Sequence, residues 1–554
     1  MEEKEFNLLD EPWIRVIDSQ CNVKELSMLE LFEHAHEYVD FSGETAAQDI
    51  AVLRLLIAVL LTVFSQYSMQ GNQRRLRDNK QDAFAFWKRL WENEKFPIKP
   101  IKDYLETQRE KFWLFHPENP FGQTAKAKIG TSYDVPKLNG ELSESSNKTR
   151  LFQSLAGENK KSMSYSQACR WLIYINAFDD TSAKPSKEAK AIEKETGEKL
   201  LSPGAGWLGK LGLIINQGNN IFETLMLNFI LCDSNRKLFP PETPVWELDK
   251  MPSEERRHIA RPNNLSALYT LQSRRLFLNR CDNAVVGFNL LGGDFFDKED
   301  TFIEPMTVWR GSKYNKKTKK YEPPYVPKRH DISKQFWREF ASVYTESDAT
   351  HQPGVIIWLN QLMSNHCLSD TGIFRTKIAS VQYGDKDFFV TNTFSDTLSM
   401  HRIIFENEVW QAKILNAIEI CDKIASYVFF LAKNLNFASG GSDSSKEHDG
   451  TAKIFATQAQ AKFYTLIDIP FRMWLSSLDP DEQDEDVMLN KWTETAVEIA
   501  GRYGKELSNQ AGLKAFTGKI IKKENEPKKF YSVAMAINSF QAQLYKLKPK
   551  KEEV

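Results

Sequence analysis

The sequence lacks the residue patterns that mark disulfide-rich, metal-binding and many catalytic proteins. Its 554 residues include six cysteines, and no two lie close enough for the Cys-x-x-Cys pair of a zinc ribbon or a redox site. The patterns Gly-x-Ser-x-Gly and His-Glu-x-x-His and a complete P-loop are also missing. Scattered single thiols are typical of a reducing compartment. We therefore predict a cytoplasmic protein with no assembled catalytic set, no metal and no cofactor.

Neither sign of charge prevails, and no apolar run is long. The 73 basic and 74 acidic residues give a formal net charge of −1. A free-standing, non-specific nucleic-acid binder usually carries a large positive excess, so the balance argues against that class but allows a subunit with a local basic face. The most apolar run, Ile50 to Phe64, contains Arg54 and spans fifteen residues, fewer than the roughly 20 that cross a bilayer. It predicts a buried helix and no membrane contact.

The hydrophobic periodicity changes near residue 400. Residues 1–400 mix short strand patterns with helical ones, and the segment from Lys313 to Arg329 has the composition of a basic, proline-interrupted loop. Beyond it, apolar residues at i, i+3 and i+4 predict four long helices, at 407–435, 450–478, 484–509 and 527–547. Helices with short connections form antiparallel bundles. The predicted fold is α+β, with a mixed α/β domain at 1–400 and a four-helix bundle at 401–554.

A glycine cluster at Gly204 to Gly209 has the G-x-G-x-x-G spacing of a dinucleotide site, and the acidic Glu223 follows. Such a site needs a strand before the glycines and a helix after them. Here the preceding segment is charged and helical, Pro203 adjoins Gly204, and LGLIINQ after the cluster has a strand pattern. A plain turn, or a backbone left bare for a ligand, fits better. A nucleotide-cofactor enzyme remains the alternative function.

Three short segments carry a resemblance to a known family. They are FNLLDEPWIRV from Phe6, HPENPFGQT from His116 and LYTLQSRRLFL from Leu268. Their order and spacing resemble the large subunit (CasA family) of type I-E Cascade, the CRISPR RNA-guided surveillance complex, over essentially the whole chain. The resemblance implies a non-catalytic subunit at the 5′ end of the guide RNA. It would recognise the protospacer-adjacent motif (PAM) of double-stranded DNA, promote strand separation and R-loop formation, and help recruit the helicase–nuclease in antiviral defence.

In such complexes the protein reads a short duplex motif, and base pairing reads the remaining sequence. The resemblance places a glycine loop at Gly204, Ala205 and Gly206, where backbone amides can approach a narrow minor groove. It also implies a lysine that reaches this groove. Lys250 is the candidate, with Arg256 and Arg257 as rivals.

The family's PAM-reading β-hairpin corresponds to Phe374 to Phe394. Tyr383 to Lys386 form the predicted turn. The resemblance assigns the reading and wedging tip to Lys386, Asp387 and Phe388, although the family's best-known tip has an amide side chain followed by a small residue. Phe388 can act as an apolar wedge between base pairs. Alternatively, Phe388 and its neighbour lie on the two faces of an ordinary strand.

A polar loop from Ser143 to Ser166 corresponds to the family's contact with the RNA–protein backbone of the complex. Asn147 and Phe152 match the family best. Basic residues in the loop supply the charge that a phosphate contact needs: Lys148, Arg150, Lys160 and Lys161. An ordinary exposed loop has a similar composition.

Overall fold

The computed structural model divides the chain into two compact units. It describes residues 4–73, 80–138, 160–181, 191, 194–195, 197, 204–317, 320–345, 351–369, 372–405, 407–442, 450–521 and 528–548. The first unit comprises Met1–Ser333, Glu346–Ser369 and Arg375–Thr397, and the second comprises Lys334–Thr345, Asp370–Phe374 and Leu398–Val554. The predicted boundary at residue 400 stays a prediction.

The described residues contain both helices and strands. The strands are β1 Glu5–Asn7, β2 Ile14–Asp18, β3 Val23–Leu26, β4 Tyr38–Phe41, β5 Trp113–Phe115, β6 Thr131–Asp134, β7 Leu213–Gln217, β8 Arg274–Cys281, β9 Ala284–Gly292, β10 Val308–Asn315, β11 Lys320–Lys328, β12 Ile373–Tyr383, β13 Val390–His401, β14 Lys519–Ile521 and β15 Lys529–Tyr531. The α-helices are α1 Met28–His34, α2 Ala46–Gln66, α3 Lys80–Glu92, α4 Ile98–Thr107, α5 Val135–Leu138, α6 Tyr165–Phe178, α7 Ile221–Leu227, α8 Leu265–Tyr269, α9 Phe340–Tyr344, α10 Gly354–Ser364, α11 Glu408–Ala438, α12 Thr451–Ser476, α13 Glu485–Gln510, α14 Leu513–Thr517 and α15 Val533–Tyr545.

Helix α2 forms the centre of the first unit, as the apolar run predicts. Thr45 caps its N-terminus by accepting a hydrogen bond from the Gln48 amide. The helix is long and apolar enough to cross a membrane, but 94% of its most apolar window is buried inside the protein. Arg54 is tolerated there because its guanidinium makes two hydrogen bonds, of 2.7 and 2.8 Å, to the carboxylate of buried Glu304. A buried charge requires such a partner.

Two small sheets of the first unit carry the candidate site. One has the order β13-β12-β7 and the other the order β6-β9-β8. The segment that follows the glycine cluster is therefore a strand, β7, which runs antiparallel to β12 with Leu213 opposite Ala379. The predicted loop from Lys313 to Arg329 is wrong, because most of it belongs to the two-stranded sheet β10-β11. Among the described residues β11 pairs with β10 alone, and prolines are tolerated in such edge strands.

The four long helices of the second unit form an up-down-up-down bundle. The end of α11 meets the start of α12, where Asn436 accepts a hydrogen bond from Thr451. The end of α12 meets the start of α13, where Trp474 donates to the Met488 carbonyl. α15 starts beside the end of α11, because the ring of Tyr531, two residues before it, packs against Phe437 at a tilt. The bundle and the mixed α/β first unit confirm the predicted fold class.

The start of the fourth predicted helix needs correction. Residues from 527 have an apolar spacing compatible with a helix, but α15 begins at Val533. Strand β15 instead pairs antiparallel with β14, with Ile520 opposite Phe530. A short strand and the first turn of a helix share such spacings, and pairing with a distant segment decides between them.

Candidate nucleic-acid interface

The glycine cluster forms a tight turn packed on the end of helix α6. The Gly206 amide donates to the Asp179 carbonyl at 3.0 Å, and a Cβ on Gly206 would clash with the Ala177 carbonyl. The side chain of Ala205 is fully buried. Packing inside the protein therefore explains why residue 206 is a glycine and residue 205 has a small side chain. Gly204 differs, since it is partly exposed and a Cβ there would find room.

The turn does not have the structure of a dinucleotide site. A single 3₁₀ turn, Leu208–Lys210, and then strand β7 follow it, whereas a dinucleotide site places a helix N-terminus against the pyrophosphate. Glu223 lies in the first turn of α7, where its carboxylate accepts a 2.7 Å hydrogen bond from the Asn219 amide. That helix begins only after the strand, so the G-x-G-x-x-G spacing here is a coincidence of sequence.

The predicted hairpin is present, but its turn is longer than expected. Strands β12 and β13 are joined by Gly384 to Phe389, so Tyr383 ends a strand and the predicted four-residue turn is wrong. Three residues of this connection have positive φ without being glycine: Lys386 at 55°, Asp387 at 59° and Phe389 at 64°. Such a conformation is strained for a residue with a Cβ and persists where its surroundings enforce it.

The contacts of the hairpin tip explain how this backbone is held. The Thr181 hydroxyl donates to the Lys386 carbonyl at 3.0 Å, and the Thr181 amide donates to the Asp387 carbonyl at 3.1 Å. Phe389 is buried, whereas Phe388 is 38% exposed and Lys386 is exposed. The structure thus directs Lys386 and Phe388 outward and Phe389 inward.

Arg329, directly after β11, joins the glycine turn to the hairpin tip. Its Nε donates to the Gly209 carbonyl at 2.6 Å, and its two terminal nitrogens donate to the Asp387 carboxylate at 2.7 and 3.1 Å. Tyr383 reinforces the same junction, because its hydroxyl donates to the Phe178 carbonyl. The Asp387 carboxylate is therefore engaged by the protein.

We expect Arg329→Ala to loosen this junction without unfolding the unit. Loss of a bidentate, half-buried ion pair removes about 1–3 kcal/mol of local stability. The measurement is hydrogen exchange, in which the amides of Gly384 to Phe389 should exchange about tenfold faster. Arg310→Ala, on β10 of the same small sheet, is the matched control. Equal exchange in the two variants contradicts the role assigned to Arg329.

Cationic side chains surround this junction. Arg274, the first residue of β8, donates to the Gly204 carbonyl at 3.0 Å and to the Asp179 carboxylate at 2.8 Å. Lys210 is partly exposed, and its ammonium lies 5.0 Å from the centre of the Phe295 ring. Burial, together with the positive charges of Arg274 and Lys298, lowers the pKa of Lys210 from 10.5 to about 8. No ion pair neutralises Lys210 within the described ranges.

The remaining sequence-predicted residues lie apart from this junction or outside the described residues. Lys250 is exposed, and nothing in the described part of the chain bonds it to the glycine turn or the hairpin. Arg256 makes two 2.8 Å hydrogen bonds to Asp294, and Arg257 pairs with Glu255 at 2.7 Å. The rival arginines are therefore already paired, and the role of Lys250 stays a prediction.

The predicted docking loop is described only at its C-terminal end. Asn147, Lys148, Arg150 and Phe152 lie outside the described residues. Lys160 and Lys161 are described, and two residues after Lys161 comes Met163, which bridges to Val285. Ser164 caps helix α6, so the last two residues of the predicted loop belong to that helix.

Sequence reasoning missed Lys210, Arg274 and Arg329. Lys210 directly follows the glycine cluster, and this position is the sequence feature that could have indicated it. Arg274 and Arg329 come from segments 64 and 119 residues beyond Lys210 in the chain. Only the three-dimensional structure brings residues of such separation together.

Comparison with known proteins places the chain among the CRISPR-associated proteins. The family model of CRISPR-associated protein Cse1 matches residues 7–503. Since this is most of the chain, the chain belongs to the Cse1 family, and the resemblance to the CasA family is confirmed.

Individual relatives agree with this assignment. The CRISPR-associated protein CasA/Cse1 of Thermus thermophilus is 30% identical over 252 residues, a match that spans 44% of this chain and 42% of that relative. The crystal structure of Thermobifida fusca Cse1 has a TM-score of 0.80 at 24% identity, covering 99% of this chain and 98% of that chain. A chain of a CRISPR RNA-guided surveillance complex has a TM-score of 0.65 at 13% identity, covering 98% of this chain and 100% of that chain. Both of these solved structures share the fold of this chain.

Proposed function

We propose that this chain is the large, non-catalytic subunit of a type I-E CRISPR RNA-guided surveillance complex in the cytoplasm. It recognises the PAM in double-stranded DNA, promotes strand separation and R-loop formation, and helps recruit the helicase–nuclease for antiviral defence. Its partners are the other Cascade subunits with their CRISPR RNA and the target duplex. Membership of the Cse1 family and the shared fold with a surveillance-complex chain support this role.

One observation carries the DNA-recognition part of the proposal. Arg329 bonds both the glycine turn and the strained hairpin tip, so the two elements form one junction beside Lys210. Phosphate contacts from cations position a protein on DNA, and side chains that enter the groove read or open base steps. Lys210 suits the first task, and the outward-facing Lys386 and Phe388 suit the second.

We assign different roles to the predicted site residues. Gly204 is partly exposed and has no side chain that would keep a groove at a distance, whereas Ala205 and Gly206 are buried and shape the turn from inside. Asp387 positions the tip through Arg329. The loop carrying Asn147, Lys148, Arg150, Phe152, Lys160 and Lys161 is assigned to docking on the RNA-bound complex, where its cations contact phosphates.

Co-purification tests the subunit role. The chain is expressed with an affinity tag beside its neighbouring genes, and bound RNA is extracted and sequenced. We expect recovery of other Cascade subunits and of CRISPR RNA. Changing Lys160 and Lys161 to serine should reduce incorporation several-fold. A tagged chain that emerges alone, without RNA, contradicts the subunit role.

A second measurement tests Lys210 through its pKa. In the free protein this ammonium loses its proton as the pH rises through about 8. A bound phosphate favours the charged form and raises the pKa again. Above about pH 8, DNA binding therefore takes up a proton, and the affinity should fall by up to about tenfold per pH unit. Fluorescence anisotropy of a labelled duplex between pH 7 and 9.5 measures this slope.

Lys210→Arg is the control for that slope. Arginine keeps its charge throughout this pH range, so the variant should bind duplex with little dependence on pH. Lys210→Met should also lose the slope, and its affinity at pH 7 should fall about tenfold. Identical pH profiles in the unmodified chain and Lys210→Arg would remove Lys210 from the interface.

A further inference from the structure

The second unit carries an exposed surface that the proposed duplex site does not use. It consists of helix α14, Leu513–Thr517, and the strand pair β14–β15, and is named here the lysine-rich hairpin. Residues 511–531 contain six lysines and two glutamates, a balance of +4 within a chain whose net charge is −1. Four of these lysines are exposed and form no ion pair within the described residues: Lys514, Lys519, Lys528 and Lys529.

The same surface exposes apolar side chains. Phe516 is 56% exposed and Phe530 is 44% exposed, and Leu513 and Ile520 are more exposed still. Ile520 and Phe530 are directly opposite each other in the strand register. Because side chains alternate between the two faces of a strand, Ile520 and Phe530 face solvent, whereas the buried Tyr531 shares the other face with its register partner Lys519 and with Lys529, whose ammonium lies 5.6 Å from the Tyr531 ring centre.

The lysine-rich hairpin packs against helix α11, so its solvent-facing side has a defined position. Tyr531 packs on Phe437 of α11 with ring centroids 5.1 Å apart. Gly518 has φ of 81°, and a Cβ there would clash with the ring of Phe530. The glycine therefore both permits the turn between α14 and β14 and lets Phe530 lie against the backbone, with the remainder of its ring open to solvent.

We propose that the lysine-rich hairpin binds single-stranded nucleic acid, with its lysines on the phosphates and Phe516 and Phe530 stacked on bases. Unpaired lysines beside exposed aromatic rings are the combination that single-strand binding surfaces use. A duplex offers phosphates but no exposed base faces, so it leaves the two phenylalanines without a role. A second copy of this chain would bring like charges together across a symmetric contact. The inference is independent of the duplex site, because the two surfaces share no residue.

The test measures binding of the full chain to a fluorescent 20-nucleotide poly-dT strand. We expect Phe516→Ser, Phe530→Ser to weaken binding on the order of tenfold, because each stacked base is lost with its ring. Lys514→Ser, Lys528→Ser should reduce the slope of log affinity against log salt by about 1.4, or about 0.7 per phosphate contact on a single strand. Lys462→Ser, Lys491→Ser removes two exposed lysines from α12 and α13, and should change neither quantity.

Photocrosslinking identifies the contacted residues. With 5-iodouracil in the strand, we expect crosslinked peptides that contain Phe516 or Phe530. Variants of the lysine-rich hairpin should bind duplex DNA normally. Loss of single-strand binding can therefore be distinguished from loss of the proposed duplex site. Crosslinks confined to other segments, or unchanged strand affinity and salt slope, overturn the proposal. It is also overturned if the aromatic variant binds the strand normally but changes its mass in solution or loses binding to anionic lipid vesicles.

Discussion

Changing Lys386 and Phe388 together to serine is expected to weaken binding of a PAM-containing duplex by the assembled complex about 100-fold, or about 2.7 kcal/mol. Both side chains face outward from a tip whose backbone is held by Thr181 and Arg329. A base contact contributes about 1–3 kcal/mol, and a wedging side chain stabilises an unstacked base step. Both side chains lie outside the ion pair between Arg329 and Asp387, so assembly with the other subunits should be unchanged. Gel-shift titration of the purified complex measures both properties.

Asn392→Ser is the matched control for this change. Asn392 is exposed on strand β13 of the same hairpin, beyond the tip, and its replacement should leave duplex affinity within twofold of normal. Asp387→Asn should have an intermediate effect, because it weakens the Arg329 contact that positions the tip. Unchanged affinity in the double serine variant would remove the tip from the DNA interface.

Replacing Arg54 with methionine is expected to destabilise the first unit by about 3–5 kcal/mol, since it leaves the buried Glu304 carboxylate without its cation. Glu304 is fully buried, and Arg54 is 1% exposed. The Glu304 carboxylate also accepts a 2.8 Å hydrogen bond from the Trp207 indole, so the disturbance reaches the residue directly after Gly206. Urea unfolding followed by tryptophan fluorescence measures the loss.

The second variant for this test is Arg54→Met combined with Glu304→Gln. Glutamine has no charge and retains an oxygen for the Trp207 indole, so the double change should recover more than half of the lost stability. Equal destabilisation of the single and double variants would show that lost packing, and not a stranded charge, is the cause.

The sequence predicted the helical unit well for a physical reason. Each long helix buries one face, so its apolar spacing is visible within the segment itself. The ends of α11 and α13 lie within a few residues of the predicted 407–435 and 484–509. The hairpin β14–β15 was missed, because pairing between Lys519–Ile521 and Lys529–Tyr531 is not encoded in the periodicity of either segment.

The candidate site was predictable only in its local parts. Gly384 after an alternating segment indicates a hairpin, and the hairpin is present, although its connection runs from Gly384 to Phe389. The junction was invisible in sequence, because Arg329 follows β11 in a segment whose prolines resemble those of a loop. The glycine cluster shows a different limit. Its flanking segments already argued against a dinucleotide site, but they could not reveal that the nearby Ala177 carbonyl leaves no room for a Cβ at Gly206, a contact that only the packing of α6 creates.

Site-specific crosslinking within the assembled complex tests duplex recognition most directly. A photoreactive amino acid replaces Phe388 in one sample and Asn392 in another, and each complex is irradiated with a duplex whose PAM-proximal base pairs carry a label. We expect strong crosslinks from position 388 to bases next to the PAM, weak ones from position 392, and loss of both when the PAM is scrambled. Recognition of DNA by the β12–β13 hairpin is contradicted if position 388 gives no crosslinks, or if its crosslinks are equally strong with a scrambled PAM.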